Sequence, residues 1–370
     1  MGVYVNARTA RCLRSYKYSG EDRSYLFKLV LNPTAAALVE FVPRCVAPNL
    51  ITVTGLALIA AAATLTTVLS PDLTATLPAS AHFICAVSIL MYQTLDNMDG
   101  KQARRTGNST AYGLLMDHGV DAMAVTVVSI MMGSILQLGG TWRLFAIWAI
   151  AMTPFTMATW EEYYTGSLVL AELNGPSDGQ FILAVCCLLP AVFGAGFWSE
   201  VVTLPFVNVR TQRNVLVVLL GITAMIPTVI LNVANVLRSS KTRETTSARL
   251  STLFPFIVLL TNASIWMLMS PARIVELHPR MFLLANGFTF GNLACKLMFA
   301  HIGGFPYATW RAALVPVSIA ALNAAVGAPV DESLVAVLCL TTAFLAWLHF
   351  VVIATKEITD ALGIRVFFVK

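Results

Sequence analysis

Apolar stretches of about 20 residues, separated by short polar ones, recur along most of this 370-residue chain. That is the length a helix needs to cross the hydrocarbon core of a bilayer. Segments of about ten residues that alternate apolar and polar positions, as in outer-membrane barrels, are absent. The pattern predicts an all-α polytopic membrane protein with about ten transmembrane helices, over residues 50–70, 80–96, 113–136, 142–160, 180–197, 214–237, 250–269, 281–301, 311–327 and 334–355.

Residues 1–49 precede these stretches and have a different character. They hold seven Lys and Arg, and no apolar run typical of a cleaved signal peptide. The part from Leu26 to Phe41 predicts an amphipathic helix on the membrane surface, interrupted at Pro33. A solvated tail is the alternative, and the aromatic residues Tyr16, Tyr18, Tyr25 and Phe27 favour the interfacial helix.

Composition agrees with a membrane location. Hydrophobic residues make up 57% of the chain and charged residues 12%, whereas roughly a quarter of an ordinary soluble domain is charged. This excludes a soluble globular protein and a disordered one. The seven cysteines are an odd number, and most lie in apolar stretches, so we expect no disulfide framework and no metal–thiolate site.

The basic residues predict the orientation in the membrane. With ten spans, 18 of the 24 Lys and Arg fall on the side of the two termini and five on the other side, while Lys296 lies within a span. Because cytoplasmic loops carry the excess of basic residues, we expect both termini to be cytosolic, together with the loop between the second and third spans.

Acidic residues are scarce, yet four of the 19 lie within 26 positions, at the cytosolic ends of the second and third spans: Asp96, Asp99, Asp117 and Asp121. The first two are spaced i, i+3 and the last two i, i+4, so each pair lies on one helical face. Four close carboxylates repel one another and need cations. Oxygen ligands without a Cys or His pair predict Mg²⁺ or Mn²⁺, and two ions would fit such a set.

The residues between these carboxylates indicate the ligand. Gly100, Ala103 and Gly113 leave the backbone open to close approach. Arg104 supplies a planar guanidinium that suits a phosphate group. Together they predict a site for a diphosphate whose charge is neutralised by the metal ions.

The segment as a whole reads Asp96-x2-Asp99-Gly100-x2-Ala103-Arg104-x8-Gly113-x3-Asp117-x3-Asp121. It resembles, at every fixed position and spacing, the signature of the CDP-alcohol phosphotransferase family. Four stretches are similar to the eukaryotic choline/ethanolamine phosphotransferase type of that family: Tyr16–Ser19, Ala47–Thr52, Asp96–Thr106 and Trp160–Gly166.

The resemblance implies a reaction and an organisation. Phosphocholine or phosphoethanolamine would pass from a CDP-alcohol to diacylglycerol, giving phosphatidylcholine or phosphatidylethanolamine and CMP, the last step of the Kennedy pathway. Residues 50–237 would form the catalytic region, and residues 238–370, spans seven to ten, would support a homodimer. The implied location is the endoplasmic reticulum or Golgi membrane, and no nucleic-acid partner is expected.

The resemblance also implies residue roles. Asp96, Asp99 and Asp117 would bind metal, and Asp121 would complete the second metal site or act as the base. The CDP-alcohol would be bound by the motif residues Asp96, Gly100, Ala103, Arg104 and Gly113.

The general base stays open between two residues. A metal-bound carboxylate is a poor base, and His118, three residues before Asp121, is the other candidate. Asp178, which stands where choline and ethanolamine enzymes of the family usually have Glu, is the predicted orienting partner of His118.

Two other classes of protein carry intramembrane carboxylates. UbiA-type prenyltransferases use Asp-rich motifs to bind Mg²⁺ and a prenyl diphosphate, but they place the two motifs in separate halves of the fold. This alternative also gives no role to Gly100, Ala103 and Arg104. A transporter would hold its acids near the membrane midplane, whereas these four cluster at one rim.

Overall fold

The computed structural model describes residues 2–204, 208–241 and 244–369. Each of the ten apolar stretches coincides with a helix. These are α3 (Pro48–Leu69), α4 (Ala79–Thr106), α5 (Ala111–Ile135), α6 (Trp142–Thr165), α7 (Gln180–Phe193), α8 (Arg213–Arg238), α10 (Phe254–Met269), α12 (Pro279–Gly303), α13 (Val315–Ala325) and α14 (Glu332–Leu362). Short helices α9 (Thr246–Ser251) and α11 (Ile274–Leu277) connect them, and a 3₁₀ turn, Ala312–Leu314, precedes α13.

Six of the described helices are long and apolar enough to span a membrane: α3, α5, α7 with the turn before it, α8, α12 and α14. Helix α10 and the segment 312–325 are apolar but shorter. The prediction of a polytopic helical membrane protein is confirmed, while the number of ten spans stays a prediction.

Local sequence signals set the ends of the helices that matter most for the site. Gly107 adopts a left-handed conformation with φ of 69° and ends α4, a backbone position that favours glycine. The hydroxyl of Thr110 then accepts a hydrogen bond from the backbone N–H of Gly113 and caps α5. Residues 107–109, between the end of α4 and Thr110, therefore reverse the direction of the chain. As a result, the motif residues on α4 and α5 lie at the same end of the bundle.

Helix α12 lies at the centre of the bundle. In its apolar window 83% of the residues are buried, against 11% for α8 at the periphery. It packs against α5, α6 and α14, and Phe282 and Phe290 of α12 contact Phe145, Trp148 and Phe155 of α6 through aromatic rings. This core holds α5 and α6 in register with each other.

The segment before α3 is more structured than predicted. A helix, α1 (Ala7–Ser15), begins at Asn6, whose side chain caps it. A helix is present in the expected segment, but the expectation of a break at Pro33 is wrong: a π-helical turn, Phe27–Leu31, runs directly into α2 (Asn32–Leu38). Pro33 comes just after the π-helical turn, where the regular i to i−4 hydrogen-bond pattern is already interrupted. Leu29 and Phe41 are highly exposed, as a helix on a membrane surface requires.

Four short strands qualify the all-α prediction. Strand β1 (Gly20–Asp22) pairs in parallel with β2 (Leu168–Leu170), and β3 (Val201–Leu204) pairs antiparallel with β4 (Val209–Gln212). The first pair ties the segment before α3 to the chain that leaves α6.

The two ends of the described chain meet at one end of the bundle. The carboxylate of Glu357 on α14 accepts hydrogen bonds from the backbone N–H groups of Val3, Tyr4 and Val5. Asn49 at the start of α3 donates to the carbonyl of Val366 over 2.7 Å. The predicted even number of membrane crossings requires the two ends to lie on the same side.

Candidate active site

Three carboxylates meet where the end of α4 faces the start of α5. Asp96, Asp99 and Asp117 each place one oxygen so that the three oxygens lie within 4.8 Å of one another. The i, i+3 spacing of the first two puts them on the face of α4 that α5 approaches. Asp121 is one turn further along α5 and does not belong to this group of three.

The supporting contacts orient these carboxylates. Thr52 of α3 donates a hydrogen bond to Oδ2 of Asp99, and the hydroxyl of Tyr92 on α4 donates to Oδ1 of Asp121. Oδ1 of Asp117 is buried and has no hydrogen-bond partner among the described residues. Buried polar atoms are nearly always paired, so an unpaired carboxylate oxygen at this position fits the role of a metal ligand. Oxygen donors at this spacing suit a hard divalent cation such as Mg²⁺ or Mn²⁺.

The small motif residues leave space beside the carboxylates. A Cβ added at Gly100 would meet only the end of the Arg104 side chain, at 3.6 Å, within a 4 Å radius. A Cβ added at Gly113 would meet Thr110 Oγ1 at 3.6 Å and Asn49 Oδ1 at 3.9 Å. Both glycines therefore face room that a ligand can occupy rather than a tight helix contact, and Ala103 is only partly buried nearby.

The two neighbouring arginines of the motif have different surroundings. Arg104 is exposed, which leaves its guanidinium available to a phosphate. Arg105 instead donates hydrogen bonds of 2.7 Å to the carbonyls of Val39 and Val42. It thereby holds the interfacial segment against α4.

His118 is buried on α5, and its two ring nitrogens face different groups. Nε2 lies 3.1 Å from a carboxylate oxygen of Glu162 on α6. Nδ1 lies 3.8 Å from Asp117 Oδ2 and 3.2 Å from the carbonyl of Leu114. The side of the ring that carries Nδ1 therefore faces the carboxylate group, and the side that carries Nε2 faces Glu162.

Glu162 is fully buried and lies between two histidines. Its second carboxylate oxygen is 3.8 Å from Nε2 of His301 on α12. That same nitrogen lies 3.2 Å from the hydroxyl of Tyr16. A row of polar groups, Tyr16, His301, Glu162 and His118, thus runs from the segment before α3 to the edge of the site.

Asp178 hydrogen-bonds to residues other than His118. Its Oδ1 accepts a hydrogen bond from the hydroxyl of Ser24, and its Oδ2 accepts one from the backbone N–H of Asn174. Together with Asp22, which accepts from Ser177 and Asn174, it fastens the loop after β2 to the segment after β1. The carboxylate that the structure brings to His118 is Glu162, not the predicted partner Asp178.

The segment that contains Tyr16 and Tyr18 lies over the site. Partial burial and the negative charges of Glu162 and Asp117 raise the pKa of the Tyr18 hydroxyl. Those charges act on Tyr18 only because the segment lies close to the carboxylates. Sequence reasoning assigned no site role to His301 or Tyr18, and it did not pair Glu162 with His118, although Tyr16–Ser19 and Trp160–Gly166 are among the stretches that carry the family resemblance.

A group of carboxylates at one rim of a helical membrane bundle, with an exposed arginine and open glycines beside it, defines a site for metal-dependent transfer of a phosphate-linked group. Residues 45–209 match the family model described as CDP-alcohol phosphatidyltransferase. The chain is 36% identical to choline/ethanolaminephosphotransferase 1 of Arabidopsis thaliana, over 98% of both chains. It is 29% identical to human ethanolaminephosphotransferase 1, over 96% of this chain and 92% of that protein. The chain belongs to the CDP-alcohol phosphatidyltransferase family and is a membrane-embedded transferase.

Proposed function

We propose that this protein transfers phosphocholine, phosphoethanolamine or both from a CDP-alcohol to diacylglycerol, releasing CMP. The observation that carries the proposal is that Asp96, Asp99 and Asp117, from two helices, come together beside open space at Gly100 and Gly113. The names of the relatives in Arabidopsis thaliana and Homo sapiens point to the same donors.

The residues present fit a divalent cation, Mg²⁺ or Mn²⁺. Asp96, Asp99 and Asp117 would hold it, and Asp121 would complete a second position. When bound, such ions neutralise the diphosphate of the donor and the charge that develops as CMP leaves. Arg104, with Gly100, Ala103 and Gly113 around it, would bind the CDP part of the donor.

Proton transfer needs a group that is not coordinated to metal, and we assign it to His118. The hydroxyl oxygen of diacylglycerol attacks the phosphorus that bears the choline or ethanolamine, the bond from that phosphorus to the oxygen of CMP breaks, and the hydroxyl proton passes to Nδ1. With the proton of the neutral ring on Nε2, 3.1 Å from the Glu162 carboxylate, Nδ1 is the unprotonated nitrogen and lies on the side of the ring nearer Asp117. Once protonated, Nδ1 can donate to the carbonyl of Leu114. Asp121 is the rival base, and the hydrogen bond from Tyr92 makes it a weaker base because it stabilises the charged form of the carboxylate.

The remaining proposals concern the orientation in the membrane, the organelle and the oligomeric state. We propose that the site and both termini are cytosolic, which gives a water-soluble donor access while diacylglycerol arrives from the bilayer. A homodimer through residues 238–370, in the endoplasmic reticulum or Golgi membrane, completes the proposal.

The decisive assay measures CMP release from purified protein with diacylglycerol, using CDP-choline and CDP-ethanolamine side by side and Mg²⁺ or Mn²⁺ in turn. We expect CMP release that depends on diacylglycerol and on the metal. If neither donor gives CMP release, turnover of a prenyl diphosphate would support a UbiA-type prenyltransferase, and ion flux in proteoliposomes would support a transporter.

A further inference from the structure

Lys296 is a charged residue inside a membrane-spanning helix that the proposed reaction does not use. It lies on α12, seven residues before the helix ends at Gly303, and so about 10 Å along the axis from that end. His301, which belongs to the row of polar groups beside the site, is on the same end of α12. Charged side chains in spanning helices normally pair with a partner that offsets the cost of leaving water.

The described residues offer Lys296 no anionic partner. No hydrogen bond or ion pair joins it to any of them, and its Nζ lies 5.6 Å from the ring centroid of Phe350. A second cation, Arg311, lies close enough for its charge to act on Lys296. The surroundings of Lys296 therefore have a positive charge that the protein itself does not balance.

The side chain lines a cavity of about 490 Å³ between α12, the start of α13 and α14. Its polar lining comes from Lys296, Thr342, Tyr4 and His349, and its apolar lining includes Pro316 and Ala346. The hydroxyl of Tyr4 lies 3.2 Å from Nδ1 of His349. Val315 and Thr342 at the cavity are exposed, so the cavity opens on the outer surface of the bundle.

We propose that this cavity binds a phospholipid of the leaflet nearest the carboxylate site, with the phosphate group on Lys296. A lysine about two turns of helix below the bundle end can extend its ammonium group towards the level of the lipid phosphates. There the phosphate supplies the missing negative charge, while His349 and Thr342 can hydrogen-bond its oxygens and the apolar wall contacts the glycerol and acyl chains. A free phosphate ion offers the charge but not the apolar contact.

The test is binding of phosphatidic acid to the full-length protein in detergent, measured by native mass spectrometry. Wild-type protein should retain the lipid, and Lys296→Met should weaken retention by about tenfold or more, since a hydrogen bond to a charged group has that worth. Lys296→Arg should restore most of the binding. Lys356→Met, which removes an exposed lysine near the same end of α14, is the matched control and should bind as the wild type does.

Two further arms decide between sources of the phosphate. Inorganic phosphate and diacylglycerol, each added in excess, should fail to displace the lipid. Displacement by inorganic phosphate, or equal retention by Lys296→Met and wild type, would overturn the proposal. The measurement needs no turnover, so it is independent of whether the proposed reaction is correct.

Discussion

Replacing Glu162 with Gln tests the contact that the proposed base depends on. The substitution keeps the size and shape of the side chain but removes its charge from a fully buried position 3.1 Å from Nε2 of His118. A hydrogen bond to a charged group contributes about 1.5 to 3 kcal/mol. Since about 1.4 kcal/mol corresponds to a factor of ten in rate, kcat should fall about 10- to 100-fold.

The loss should be confined to the chemical step. Glu162 contacts no residue of the Gly100–Arg104 stretch, so KM for the CDP-alcohol should change by less than about threefold, a split that identifies a positioning residue. Initial rates of CMP release over a range of donor concentrations give both parameters. Thermal unfolding of the same preparation shows whether the fold is intact.

The adjacent residue provides a matched control. Glu161 is also buried, but its carboxylate accepts hydrogen bonds from Asn232 and Asn235 of α8 and so faces α8 rather than His118. Glu161→Gln should lower the unfolding temperature and leave kcat within about threefold. If Glu162→Gln keeps the wild-type kcat while Asp178→Asn lowers kcat strongly, Glu162 is not the partner of His118. Asp178 would then be that partner.

Four further perturbations follow from the site. His118→Ala should abolish turnover while calorimetry still detects CDP-alcohol binding, and near-normal turnover would leave Asp121 as the base. Asp117→Asn removes a carboxylate at the centre of the group, so it should abolish turnover and the rise in unfolding temperature produced by Mg²⁺ or Mn²⁺; an unchanged rise would exclude this residue as a ligand. Thr52→Val deletes the hydrogen bond to Asp99 and should raise the metal concentration for half-maximal activity several-fold without changing kcat at saturating metal. Asp178→Ala releases Ser24 and Asn174, so limited proteolysis should cut the loop after β2 faster than in the wild type, and equal cutting rates would count against its fastening role.

The fold and the metal group were predictable because their signals are local. Helix length follows from runs of apolar residues, and the spacing of Asp96, Asp99 and Asp117 places each on a helical face before any tertiary contact is known. Gly107, which ends α4, is a signal that sequence can supply as well.

The partner of His118 was not predictable in this way. Glu162 is 44 positions away, and its contact with His118 depends on how α6 rotates and slides against α5, which is set by the packing of both on α12. Strands β1 and β2 have three residues each and no alternating pattern, so nothing local indicates that they pair. The same holds for the cavity at Lys296, whose walls come from three helices and from Tyr4.

The hydrogen bonds between Val3, Tyr4 and Val5 and the carboxylate of Glu357 impose an order on assembly. The ribosome makes residues 3–5 more than 350 positions before it makes their partner. Strand β1 likewise cannot pair until β2 has been made, and Tyr16 cannot contact His301 until α12 has been made. This segment therefore docks long after it has been synthesised. Since Tyr16 and Tyr18 lie in that segment, the segment can be anchored beside the site only after α14 has been made. A chain cut short before Glu357 would keep the group of Asp96, Asp99 and Asp117 but would lack the residue that anchors this segment.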